Sequence, residues 1–76
     1  MTTLSKKRSV RISGHATSIT LEDAFWLELK AIARRQKRSL NDLISEIDQE
    51  QVHINLSSAL RLYVLRDLQK RLRKRV

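Results

Sequence analysis

The sequence has no cysteine, no proline, a single glycine (Gly14) and three aromatic residues, Phe25, Trp26 and Tyr63. The lack of cysteine excludes disulfides and thiolate metal sites, and His15 and His53 are too few and too isolated to form a metal cage. No metal and no cofactor are expected; both histidines read as surface or packing residues. No apolar run approaches the roughly 18 residues needed to span a bilayer. The N-terminal Met1-Thr2-Thr3-Leu4-Ser5-Lys6-Lys7-Arg8 also lacks the apolar stretch that follows the charges of a signal peptide. A soluble, cytoplasmic chain with no membrane partner is expected. No nucleophile, base and orienting group come together, and there is no glycine-rich phosphate loop. The acids Glu22, Asp23, Asp42 and Glu46 are spread over helix surfaces, so no enzyme is expected. Seventy-six residues are few for a chain to bury its own core, so one domain over 1–76 should complete itself against another chain.

What the sequence has in excess is positive charge, a net +8. It sits at the two ends. Residues 1–20 carry Lys6, Lys7, Arg8 and Arg11 and no acid, and residues 66–76 carry six bases against Asp67, while the middle is close to balanced. A balanced centre with two basic ends points to a polyanion, because lysines and arginines that meet a nucleic-acid backbone release its condensed counterions. Lys6, Lys7, Arg8 and Arg11 are therefore expected to contact phosphate, from a basic arm over 1–8 and the segment after it. A second basic tail covers 74–76.

Hydrophobic periodicity organises the rest. Ser9-Val10-Arg11-Ile12-Ser13 alternates, Gly14 interrupts, and Thr17-Ser18-Ile19-Thr20-Leu21 resumes a period of two, giving one strand region over 9–21. Gly14 either lets the backbone approach a ligand or marks a bulge. The period then becomes helical. Leu21, Phe25, Leu29, Ile32 and Ala33 share a stripe over 21–36, with Thr20 and Asp23 as a capping box. Leu40, Leu43, Ile44 and Ile47 follow a Ser39 cap over 40–51. After an Asn55 cap, Leu56, Leu60, Tyr63, Val64 and Leu68 share a face over 56–73. Leu62, Leu65 and Leu72 form a second apolar row on this third helix, so two contacts are expected there, the second available for a tetramer.

A solitary strand leaves a row of N–H and C=O groups without partners. Its expected partner is the same strand of a second copy, in an antiparallel ribbon above the helices of both chains. The core of that homodimer is expected to hold Ile19, Leu21, Phe25, Trp26, Leu29, Ile32, Leu43, Ile44, Ile47, Leu60 and Val64, with Trp26 over the seam. An antiparallel ribbon fits the major groove of B-form DNA. If Ile19 and Leu21 point inward, then Ala16, Ser18 and Thr20 point outward, where hydroxyls and the threonine methyl can meet base edges. The free N–H groups at Ser39, Leu40 and Asn41, with Arg38 beside them, make an anion site at the start of the second helix.

These residues resemble the ribbon-helix-helix family of bacterial DNA-binding proteins, which includes metabolic repressors and many antitoxins. Ser18-Ile19-Thr20-Leu21-Glu22 is similar to the family's strand running into its first helix, and Lys37-Arg38-Ser39-Leu40 to its turn into the second. Gly14-His15-Ala16-Thr17-Ser18-Ile19, Phe25-Trp26 and Asn55-Leu56-Ser57-Ser58-Ala59-Leu60-Arg61 resemble an alphaproteobacterial sub-group with a third helix. The resemblance implies a mostly α fold, with one strand paired across a two-fold axis and followed by three helices. It implies base contacts at Ala16, Ser18 and Thr20, and a phosphate held at the N-terminus of helix two. Two residues depart from the pattern. Ala16 stands where members usually carry a long polar or basic side chain, often arginine. Lys37 stands where glycine commonly ends helix one, at a cost of about 1 kcal/mol if its backbone is left-handed.

The expected function is a DNA-binding transcriptional regulator, a repressor, located at the nucleoid. Three alternatives remain. One is a helix-turn-helix, which the acidic face of Asp42, Glu46, Asp48 and Glu50 opposes. Another is an antitoxin that binds a toxin through a C-terminal region disordered until bound, which the strong periodicity of residues 56–73 opposes. The third is a basic amphipathic third helix lying on an anionic membrane.

Overall fold

The computed structural model describes residues 5–50 and 54–74. The elements run β1 (Ser5–Ile12), β2 (His15–Glu22), α1 (Asp23–Arg35), α2 (Leu40–Glu50) and α3 (Leu56–Lys74). A two-stranded antiparallel ribbon leading into three helices is the expected ribbon-helix-helix order. The origin of its second strand is not as expected. β1 pairs with β2 of the same chain, in register from Ser5 opposite Glu22 to Ile12 opposite His15. The single strand over 9–21, paired with its own copy across a dimer axis, is thus corrected to a hairpin. Ser13 and Gly14 explain it: both have positive φ, 51° and 83°, the pattern of a two-residue type I′ loop, whose twist matches that of paired strands. Gly14 therefore turns the chain, and neither a bulge nor a close approach to a ligand accounts for it.

Two further expectations change with the hairpin. Residues 5–8 belong to β1 and not to a free arm; residues 1–4 lie outside the described residues, as do Gln51, His53 and residues 75–76 of the basic tail. The backbone groups that a solitary strand would expose are used within the chain, which removes that reason for an obligate dimer. Helix side chains also cover the edges of the ribbon. The Arg11 N–H donates to Asn41 Oδ1 (3.2 Å), Ser45 Oγ donates to the Arg11 carbonyl (3.4 Å), and the Ser13 N–H donates to Ser45 Oγ (3.3 Å). On the other edge Ser57 Oγ donates to the Thr20 carbonyl (2.7 Å).

α1 begins at Asp23, two residues later than expected, because the ladder holds residues 20–22 extended. Thr20 makes no cap, and the N-cap position falls to Glu22, which makes no side-chain capping bond. The helix ends in a Schellman arrangement: the Lys37 N–H bonds the Arg34 carbonyl (3.1 Å) and the Arg38 N–H bonds that of Ala33 (3.1 Å). Lys37 occupies the left-handed position with φ 57°, so a lysine bears the conformation that glycine would adopt freely. Ser39 Oγ caps α2 by accepting the Asp42 N–H (3.0 Å), and Asn55 Oδ1 caps α3 by accepting that of Ser58 (2.9 Å).

The hairpin roofs a core to which every element contributes: Val10 from β1, Ile19 and Leu21 from β2, Leu29, Ile32 and Ala33 from α1, Leu43, Ile44 and Ile47 from α2, and Ala59, Leu60 and Val64 from α3. Leu21, Leu29, Leu43, Ile44 and Leu60 are fully enclosed within one chain. The residues assigned to a dimer core thus form the core of the single chain, with Phe25 and Trp26 half-buried against it. Supplying its own second strand is what lets so short a chain enclose these side chains. Leu68 does not join the core stripe but is exposed, together with Leu62, Leu65 (50%) and Leu72 (56%).

Candidate nucleic-acid interface

Alternation along the paired strands sorts the side chains between two faces. Facing the helices are Lys6, Arg8, Val10 and Ile12 from β1 and Ile19 and Leu21 from β2. Facing away are Ser5, Lys7, Ser9 and Arg11, opposite Glu22, Thr20, Ser18 and Ala16 respectively. All of these outward residues are exposed except Glu22, which is half-buried. Ala16, Ser18 and Thr20 lie outward while Ile19 and Leu21 lie inward, the arrangement deduced from their polarity.

The bases expected to act together on phosphate are split by the same parity. Arg8 is directed inward, with its side chain 15% exposed, its guanidinium paired with the Asp23 carboxylate and stacked 4.8 Å above the Trp26 ring. Its Nε also approaches the Leu21 carbonyl (3.4 Å). Lys6 pairs with Asp23 at 3.1 Å. Both side chains are committed to joining β1 to the start of α1, so they are not free phosphate ligands in this structure. The two cations hold the Asp23 carboxyl below its usual range, Arg8 having the larger effect. Lys7 and Arg11, by contrast, stand exposed on the outer face, and neither forms an ion pair among the described residues. The Arg11 guanidinium reaches the Gly14 carbonyl (3.3 Å), near the tip of the hairpin. Ser9, between them on the same face, was not singled out in the sequence, although the alternation that begins at Lys7 contains it.

The start of α2 lies beside the ribbon, tied to it by Asn41 and Ser45. Ser39 satisfies one N–H of its first turn, leaving those of Leu40 and Asn41 with no carbonyl a turn earlier to accept them. Arg38 folds back onto α2, pairing with Glu46 and donating to the Asp42 carbonyl (3.1 Å), so its guanidinium is held by α2.

At the opposite corner Arg61 grips Glu22 with two bonds, Nε to Oε1 (2.9 Å) and Nη2 to Oε2 (3.3 Å), and this bonding lowers the Glu22 pKa. Among the described residues, the only acid on the outer face of the ribbon is thereby paired with a cation from α3. His15 is exposed at the start of β2. Among the described residues, no three His, Cys, Asp or Glu side chains are grouped to hold a metal ion, and no helix is long and apolar enough to cross a membrane.

Comparison with curated proteins and with solved structures gave no match. A family model did match, over residues 5–68, and that span starts at the first residue of β1 and runs into α3, so it takes in the hairpin together with the helices. The model is that of the ribbon-helix-helix domain, a DNA-binding and non-enzymatic fold, and the chain belongs to this family.

Proposed function

We propose that the chain is a sequence-specific DNA-binding transcriptional regulator that places the outer face of its ribbon in the major groove and represses by occupying its site. The observation that carries this reading is the composition of that face. Lys7, Ser9 and Arg11 stand beside Ala16, Ser18 and Thr20, all exposed, with no large apolar side chain among them and with the one acid, Glu22, paired to Arg61. Hydroxyls and cations on a two-stranded ribbon suit both base edges and phosphate. The N–H groups of Leu40 and Asn41, at the positive end of α2 and next to the ribbon, are the proposed phosphate clamp, joined by Ser39. Arg38 joins that clamp if it leaves Glu46.

A homodimer is part of this proposal, and the exposed row of Leu62, Leu65, Leu68 and Leu72 on α3 is surface available for pairing, in a dimer or in a tetramer on DNA. The antitoxin alternative expects a C-terminal segment that orders on its toxin. α3 is already continuous from Leu56 to Lys74, which favours the regulator.

The test is binding of the full chain to a pool of random duplex DNA over a range of salt. The logarithm of affinity should fall linearly with the logarithm of salt concentration, and repeated selection should enrich a motif. A pool that is not retained at low salt, or that never yields a motif, would contradict the proposal.

A further inference from the structure

The hairpin changes which side chains share a groove. In a ribbon made from two copies of one strand, both strands present the same outward residues about a two-fold axis. Here the two strands differ, and their outward positions pair as Lys7 with Thr20, Ser9 with Ser18 and Arg11 with Ala16. The long cationic side chains all lie on β1, while β2 offers a methyl group, two hydroxyls and the Glu22 carboxylate that Arg61 holds.

The register places Arg11 directly across from Ala16. A two-residue loop makes its flanking residues, Ile12 and His15, a hydrogen-bonded pair, so Arg11 and Ala16 form the next, non-hydrogen-bonded pair, whose backbone groups turn away from each other. The bond from the Arg11 N–H to Asn41, outside the ladder, agrees with this. Side chains of such a pair lie close, about 4.5–5.5 Å between Cβ atoms. A methyl group at 16 therefore leaves space on the outer face that the Arg11 side chain can occupy. The arginine that the ribbon lacks at position 16 has its counterpart on the neighbouring strand. The Asn41 and Ser45 bonds hold the backbone of Arg11 from both its N–H and its C=O. Its guanidinium thus starts from a fixed base beside the start of α2.

We propose that Arg11, assisted by Lys7, is the principal base-reading residue of the ribbon, and that each ribbon therefore reads an asymmetric DNA element with no dyad at its centre. This rests on the DNA-binding reading above and adds which strand carries the sequence information. Arg11 makes the bidentate contact to guanine O6 and N7, while Ser18 and Thr20 supply weaker contacts from the other strand. Pairing of two chains would repeat the element in inverted orientation at a distance, with the dyad between the ribbons and not within one.

The experiment is selection from random duplex DNA with the full chain and its Arg11→Gln and Lys7→Ala variants, followed by affinity measurement on the selected and on scrambled duplexes. Arg11 is exposed and its backbone bonds do not depend on its side chain, so Arg11→Gln should melt like the parent, and Lys7→Ala provides a second, independent variant. The parent should enrich an element that is asymmetric over a single ribbon's footprint and contains a guanine. Arg11→Gln should move that position toward adenine and lose about 5- to 150-fold of preference for the parent element, with little change on scrambled DNA. Lys7→Ala should reduce preference at a neighbouring position by a smaller factor.

Two outcomes overturn the inference and are distinguishable. If a motif is enriched but has its dyad inside the footprint of one ribbon, or if Arg11→Gln weakens every duplex equally and so marks Arg11 as a phosphate contact, the inference fails while DNA binding stands. If no motif is enriched by any form of the chain, the DNA-binding reading itself fails.

Discussion

The two faces of the hairpin are built from the same strands and carry similar numbers of cations, yet they use them differently. On the face toward the helices, Lys6 and Arg8 are both paired with Asp23 and Arg8 is also stacked on the Trp26 ring, and they join β1 to the first turn of α1. On the face toward solvent, Lys7 and Arg11 are exposed and hold no acid. Consecutive residues of one basic run thus divide into structure and surface by parity alone. Charge summed along a sequence does not separate a cation that supports the fold from one that is available to a ligand; strand geometry does.

Substitutions on the two faces should keep this division. The largest effect is expected for Leu21→Ala, which opens a cavity at a fully enclosed position and should cost about 2–5 kcal/mol of stability. Its neighbour Thr20→Ala should change stability by less than about 0.5 kcal/mol, because the bond from Ser57 is to the Thr20 backbone carbonyl. Thr20→Ala should instead reduce discrimination among DNA sequences. Denaturant unfolding of the two variants, with DNA binding of the second, checks the pair.

A smaller effect separates Arg8 from Lys7. Arg8→Ala removes the stack over Trp26, for which about 1 kcal/mol is expected, and also frees Asp23. Lys7→Ala should leave the unfolding midpoint unchanged and reduce discrimination among DNA sequences. The comparison fails if Lys7→Ala destabilises and Arg8→Ala does not.

Acid should weaken the ion pairs around the start of α1. The Asp23 and Glu22 carboxyls are held below their usual pKa by Arg8 with Lys6 and by Arg61, so both bind protons less readily in the folded chain than in the unfolded one. Their contribution is therefore fully present above the ordinary carboxylate range, near pH 4, and is lost as pH falls through the lowered values. Thermal melts should show a decline below about pH 4 that Asp23→Asn and Glu22→Gln reduce. The smallest effect belongs to a site on neither face. Lys37→Gly relieves a left-handed lysine and should raise stability by a few tenths to about 1 kcal/mol, with DNA binding unchanged.

Much of this arrangement is legible in the sequence, and most of the exceptions trace to β1. Ser39 and Asn55 announced the starts of α2 and α3 because a cap acts on an N–H only three residues away. Leu43, Ile44 and Ile47 showed their buried face through helical spacing, and Ile19 and Leu21 fixed the parity of β2. β1 was hidden by Lys6-Lys7-Arg8, which looks like a solvated arm when charge is weighed before alternation. The two alternating runs are separated by two residues, a hairpin spacing, but Ser13-Gly14 is a weaker turn signal than Asn-Gly, and the runs merged into one strand. The inward role of Arg8 was beyond reach for a different reason: Asp23 lies 15 residues along the chain, and only the hairpin brings the two together. The start of α1 moved to Asp23 because the missed strand holds residues 20–22 extended, a tertiary effect that a local capping signal at Thr20 cannot reveal.

Amide chemical shifts of the full chain, followed as a duplex carrying a selected site is added, test most directly whether the hairpin's outer face meets DNA. The largest changes should fall at Lys7, Ser9, Arg11, Ala16, Ser18 and Thr20 and at Leu40 and Asn41, with the cross-strand contacts between β1 and β2 retained in the complex. Changes concentrated on the basic end of α3 while the ribbon stays silent, or loss of the β1 to β2 contacts on binding, would contradict the account.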